Sequence, residues 1–226
     1  YRFLSAFDDP DVIAGQGTVG IEIAPHTPDV VIVPIGGGGL ASGVALALKS
    51  QGVRVVGAQV EGVDSMIRAM KGDVTPVNPV ASLADGVRVK VPGFITRRLC
   101  TQLLDDVVTV REAELRETLV RLALEEHLIA EGAGALALAA GRRVAGRRKC
   151  AVVSGGNIDA TVLAQLLSDV RPRPPRKPRR RNAEGEPSLA KGRAPRAAVL
   201  PSPAKTGARR YEAPAMETEV HEEPIW

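Results

Sequence analysis

Four consecutive glycines, Gly36, Gly37, Gly38 and Gly39, follow the apolar run VVIVPI directly and lead straight into LASGVALAL. A strand that ends in a glycine loop and feeds a helix N-terminus is an anion site: bare backbone N–H groups face outward, the helix dipole favours negative charge, and glycine admits a phosphate close to the chain. A tight strand-to-helix turn needs one or two glycines, so four in succession point to a phosphate ligand. KCAVVSGGNID repeats the arrangement, with Ser154, Gly155, Gly156 and Asn157 at the end of a second apolar run and a helix expected from Ile158. In a parallel sheet all strand C-termini open on one edge, so both loops are expected to face one crevice and one small ligand. Taken alone, Ser154 reads equally as a capping or turn hydroxyl.

The spacing admits a rival ligand. Gly36, Gly38 and Ala41 satisfy G-x-G-x-x-A, and Glu61 ends the next expected strand, about 20 residues on, as a ribose-binding acid would. A dinucleotide therefore fits the first loop, but it leaves the second glycine turn unexplained.

The elements that must position these loops are legible as short β-branched runs alternating with longer amphipathic segments. Strands are expected at Val30–Val33, Val53–Gln59, Val87–Val89, Asp106–Val110 and Lys149–Val153. Helices are expected at Leu40–Ser50, Ser65–Lys71, Glu112–His127, Ala133–Val144 and Ile158–Val170. This alternation implies an α/β fold with a mainly parallel, twisted sheet covered by helices on both faces, which is why the strands read as solid apolar runs. No internal repeat is present.

Composition divides the chain in two. From Arg171 to the end there are 13 basic and 7 acidic residues and ten of the 17 prolines, whereas the first 170 residues hold 17 basic and 19 acidic groups. Residues 171–226 are expected to be a disordered Pro/Arg-rich tail, because they offer too little apolar surface to offset the entropy of ordering. Such an arm can bind nucleic acid through phosphate neutralisation, although a solvated tail of no fixed partner is the more ordinary reading. A hydrophobic fraction of 44% with 25% charged residues, and no apolar stretch of bilayer length, argue for a globular protein without a membrane span. Aromatics at 3% are too scarce for stacked single-strand or carbohydrate platforms. Tyr1 is not followed by signal-peptide features, so a cytoplasmic location is expected.

DDPDVIAGQGTVGIEI, VPIGGGGLASG, LADGV, EGAGALA and VVSGGNID occur in that order. Together they resemble the threonine and serine dehydratases of the pyridoxal-phosphate fold-type II class, whose relatives include serine racemases. The resemblance covers 1–170, as the C-terminal part of the catalytic domain. It implies pyridoxal phosphate as cofactor, held through its phosphate by the N–H groups of Gly36, Gly37, Gly38, Gly39 and Leu40. It also implies that the Ser154 hydroxyl faces the pyridine nitrogen and that Glu131 of EGAGA lies near the ring or substrate. A neutral hydroxyl leaves the ring a weaker electron sink than a carboxylate would, which favours elimination over transamination. The implied reaction is loss of water from L-threonine or L-serine to give a 2-oxo acid and ammonia.

Departures from the family pattern carry equal weight. The family's reactive lysine lies in a Ser-Phe-Lys-x-Arg-Gly type motif upstream, and neither that motif nor that of the ring-side Asn occurs here. Lys49, Lys71, Lys90 and Lys149 lack the expected neighbours and read as surface lysines. The chain is therefore expected to be the C-terminal half of the enzyme. On its own it should be inactive, and when completed by the missing N-terminal half it should form a homo-oligomer. The second reading is a non-catalytic phosphate-binding or interaction protein whose basic tail binds nucleic acid. Some family members bind a divalent cation through Glu and Asp at the positions of Gln59 and Ser65; an amide and a hydroxyl suit a hard cation poorly, so no metal is expected. His26, His127 and His221 have no ligand spacing, and Cys100 and Cys150 read as unpaired thiols. Asp8 and Asp9 read as helix-start acids before Pro10, and Arg142, Arg143, Arg147 and Arg148 as the solvated basic end of a helix.

Overall fold

The computed structural model describes residues 3–169. Asp9 opens the first helix, α1 (Pro10–Ile23): its carboxylate accepts from the N–H groups of Asp11 and Val12, and Pro10 occupies a first-turn position where no N–H is needed. Strand β1 (Val30–Pro34) follows, then α2 (Gly39–Lys49), β2 (Arg54–Val60) and the short α3 (Ser65–Met70). Next come α4 (Phe94–Leu103), β3 (Asp106–Val110), α5 (Glu112–Arg121), α6 (Gly132–Ala140), β4 (Lys149–Ala151) and α7 (Ala160–Ser168).

The four strands are all parallel, in the order β3-β2-β1-β4. Every residue of β1 is buried, and its side chains alternate between two cores as strand geometry requires. Val30 and Ile32 join Leu115, Leu119, Leu136 and Leu166 of α5, α6 and α7. Val31 and Val33 join Val44 and Leu48 of α2 and Cys100 of α4. Helices thus cover both faces, as the sequence implies.

On the second face, α1 and α2 touch at backbone distance. A Cβ at Gly43 would lie within 3 Å of the Gly17 nitrogen and of the Gln16 carbonyl carbon, so the crossing tolerates no side chain there.

Three expectations need correction. Val87–Val89 is not a strand: β2 pairs directly with β3 and leaves no place between them, and Asp85–Val87 forms a 3₁₀ turn that buries Val87. Residues 94–103, for which no element is expected above, form the amphipathic helix α4. The last helix begins at Ala160 rather than Ile158, because Asp159 caps it through the N–H groups of Thr161 and Val162. The sequence-expected tail, 171–226, lies outside the described residues.

Candidate active site

The chain moves outward from β1 to β2 and β3, then crosses back to place β4 on the other side of β1. The direction of winding therefore reverses between β1 and β4, and at such a switch point the loops beyond the strand C-termini separate and leave a crevice. The loops that follow these two neighbouring strands are Gly36–Gly39 and Ser154–Asn157.

In the first loop, Gly38 takes φ +96°, a left-handed conformation that favours glycine, and serves as the N-cap of α2. A Cβ on Gly37 would overlap the Phe7 ring, and one on Gly36 would lie 3.0 Å from the Val87 Cα. Protein atoms thus back the loop on its Cβ sides. Among the described residues, no protein acceptor takes the N–H groups of Gly36 through Ala41; the first one satisfied is that of Ser42, on the Gly38 carbonyl at 2.8 Å. A helix start with free donors, at which Gly37, Gly38 and Gly39 are buried, is suited to an anion.

The second loop leaves the sheet after the Val152 N–H donates to the Ile32 carbonyl at 3.0 Å. Ser154 is exposed. The Gly155 carbonyl accepts from the Glu131 N–H at 3.0 Å, and a Cβ at Gly155 would overlap Glu131 Oε1. Glu131 is the N-cap residue of α6, yet its carboxylate makes no capping bond and lies against the Gly155 backbone instead. The glycines of EGAGA have a matching purpose. Gly132 packs on the Leu83–Ala84 backbone and Gly134 on that of Gly155, so the start of α6 joins the LADGV and SGGN segments.

LADGV is anchored in turn by Glu112, whose carboxylate accepts from the Ser82 hydroxyl and from the Leu83 N–H, each at 2.7 Å. Its Gly86 and Val87 lie beside Gly36. Phe7, Thr96 and Glu112 support the loops although nothing in their sequence neighbourhoods marks them. Asp8, expected as a helix-start acid for α1, belongs instead to α4. Its carboxylate accepts there from the N–H groups of Phe94, Ile95 and Thr96 at 2.8, 2.9 and 3.0 Å.

The remaining candidates lie apart. Lys49 pairs with Asp105 at 2.9 Å, and Lys149, at the first position of β4, donates to the Gly141 and Val144 carbonyls. Lys71 ends α3 and Lys90 lies in a connecting segment. Gln59 is buried; its amide contacts the Ile35 carbonyl at 3.5 Å and accepts from the Ile67 N–H at 3.1 Å, while the buried Ser65 hydroxyl finds no protein partner. Among the described residues no group of three His, Cys, Asp or Glu side chains could hold a metal. Cys100 and Cys150 are unpaired; burial pushes the Cys100 thiol up to about 11, partly offset by a contact with the Ser42 hydroxyl. Arg142 and Arg143 are not a free basic end: they pair with Glu117 and Glu114. The N–H groups of Arg147 and Arg148 donate to Asp29.

Residues 1–156 match the family described as pyridoxal-phosphate dependent enzyme. The chain belongs to that family. It is 42% identical over 174 residues to the L-threonine ammonia-lyase of Thermotoga maritima, covering 74% of this chain and 43% of that protein. It is also 42% identical over 179 residues to the catabolic L-threonine dehydratase of Escherichia coli K12, covering 74% and 54%. The processed form of threonine deaminase isoform 2 from Solanum lycopersicum superposes with a TM-score of 0.68 at 31% identity, over 74% of this chain and 49% of that one. The chain thus spans about half the length of the curated relatives it matches. Family membership replaces the dinucleotide reading of Gly36, Gly38, Ala41 and Glu61 and makes pyridoxal phosphate the cofactor. Free loop N–H groups backed by protein on their Cβ sides fit its phosphate.

Proposed function

We propose that this chain supplies the phosphate-binding and ring-facing half of a pyridoxal-phosphate-dependent ammonia-lyase that converts L-threonine or L-serine to a 2-oxo acid and ammonia. The observation that carries this reading is the pair of glycine loops on the adjacent parallel strands β1 and β4, at the reversal of the sheet. Bound there, pyridoxal phosphate supplies an electron sink for the pair released when the substrate Cα–H is broken. Gly36–Gly39 and Leu40 hold the phosphate through backbone N–H groups. Ser154 offers a neutral hydroxyl to the ring nitrogen, and Glu131 places a carboxylate beside that loop.

The lysine that carries the cofactor is assigned to polypeptide outside residues 3–169, because Lys49 and Lys149 are tied to a carboxylate and to carbonyls, Lys71 ends α3, and Lys90 lacks the neighbours of the family's reactive lysine. The proposed partner is the N-terminal half of the same fold, joined to the open side of β4, with a homo-oligomer as the complete form. Among the described residues, no helix is long and apolar enough to cross a membrane. Unpaired Cys100 and Cys150 suit a reducing compartment, and the cytoplasm is the proposed location.

The test is complementation. The 226-residue chain is mixed with the part of the E. coli relative that precedes the matched region, and ammonia and 2-oxo acid release from L-threonine and L-serine are followed. Activity that requires both polypeptides and pyridoxal phosphate is expected. Binding of the two polypeptides and of the cofactor, without release from either amino acid, would contradict the proposed reaction.

A further inference from the structure

A loop of glycines offers N–H donors but does not by itself orient them, and one side chain here performs that task. Among the described residues, the only side-chain hydrogen bond to the Gly36–Gly39 loop comes from Thr96, whose fully buried hydroxyl donates to the Gly37 carbonyl at 2.7 Å. All described peptide bonds are trans, so the Gly37 carbonyl and the Gly38 N–H belong to one rigid plane and point in opposite directions. Holding the carbonyl therefore aims the N–H away from Thr96.

The anchor is itself anchored. The carboxylate of Asp8 holds the Thr96 N–H at 3.0 Å together with those of Phe94 and Ile95. The Thr96 carbonyl accepts from the Ser42 hydroxyl of α2 at 3.4 Å. Phe7, the neighbour of Asp8, lies over the Cα of Gly37 and blocks the peptide from swinging that way. We propose that Thr96 is a positioning residue for the cofactor phosphate: it fixes the Gly37–Gly38 peptide so that the Gly38 N–H faces the ligand side of the loop. This rests on the reading of Gly36–Gly39 as the phosphate loop.

The test uses the full chain and probes that lack an aldehyde, 4′-deoxypyridoxine 5′-phosphate, unphosphorylated 4′-deoxypyridoxine and inorganic phosphate, followed by titration calorimetry and by the amide resonance of Gly38. Thr96→Val should weaken the phosphate ester about threefold to tenfold, one hydrogen bond's worth. The unphosphorylated probe should be unaffected, and the response of the Gly38 amide to inorganic phosphate should be lost. Thr96→Ser, which keeps the donor, should restore both. Equal weakening of the two pyridine probes, or failure of the serine variant to rescue, would show that Thr96 only supports the fold. If Thr96→Val does not melt cooperatively, Asp8→Ala takes its place and must weaken the phosphate ester selectively; an unchanged preference overturns the proposal. A wild-type chain that ignores both phosphate probes contradicts the phosphate-loop reading itself, whereas wild-type binding with unchanged variants contradicts Thr96 alone.

Discussion

The carboxylate of Glu131 lies against the α-carbon of Gly155, and the Glu131 N–H donates to the Gly155 carbonyl at 3.0 Å, so the start of α6 and the loop after β4 move as one unit. Gly134→Ala should force them apart, because the added Cβ meets the Gly155 backbone directly. The expected loss is about 1–3 kcal/mol, the usual cost of overpacking. It is to be read as a lowered denaturation midpoint, together with weaker binding of 4′-deoxypyridoxine 5′-phosphate.

Two glycines in facing helices should respond to alanine with opposite signs. A Cβ added to Gly15 on α1 would meet nothing within 4 Å, so Gly15→Ala should stabilise by about 0.5–1 kcal/mol through helix propensity. Gly43→Ala gains the same propensity but drives a methyl group into the α1 backbone, and the overpacking cost of roughly 1–3 kcal/mol should win. Urea unfolding of both variants checks the pair; stabilisation by Gly43→Ala would mean that α1 and α2 do not cross this closely.

Asp73 accepts hydrogen bonds from Thr75 and, at 2.5 and 2.9 Å, from the Arg68 guanidinium. The Thr75 hydroxyl and N–H, then Arg68, hold its carboxyl down to about 2, below the ordinary 3.8. A depressed carboxylate stabilises the fold fully above its unfolded value and loses that contribution as pH falls through the folded one. The gap in melting temperature between wild type and Asp73→Asn should therefore be present at about pH 6 and close between about pH 4 and pH 2.

Ser154 and the glycine loop should separate in their effects. Ser154→Ala should leave inorganic phosphate binding unchanged and weaken the pyridine ring alone. Gly38→Val, forced into a left-handed conformation and against Met66 and Thr96, should abolish phosphate binding. Calorimetry with inorganic phosphate and with 4′-deoxypyridoxine 5′-phosphate distinguishes the two; equal losses in both variants would mean that the loops do not have separate roles.

Local signals in the sequence mark the parts of this site whose physics is local. The strand, glycine run and helix of VVIVPIGGGGLASG lie side by side in the chain, so the anion site is visible before any folding is considered. Val87–Val89 misleads because V-R-V has the alternation of a strand, and only the direct pairing of β2 with β3 excludes it. Helix α4 lacks a local start signal for the converse reason: its N-terminal cap, Asp8, comes from a distant part of the chain. Thr96 and Glu112 are equally silent, since their hydroxyl and carboxylate act on segments far away in sequence. The glycines of EGAGA are legible as a motif, but their reason, two loops packed on one helix start, appears only in three dimensions.

Two loops at the β1–β4 reversal are proposed to hold one pyridoxal phosphate molecule. The most direct test is a titration of the ¹⁵N-labelled chain with 4′-deoxypyridoxine 5′-phosphate, followed residue by residue. Shifts are expected at Gly36–Leu40 and at Ser154–Asn157 with a common dissociation constant, and inorganic phosphate should move only the first group. Shifts confined to the basic residues 171–181, with both loops silent, would contradict it.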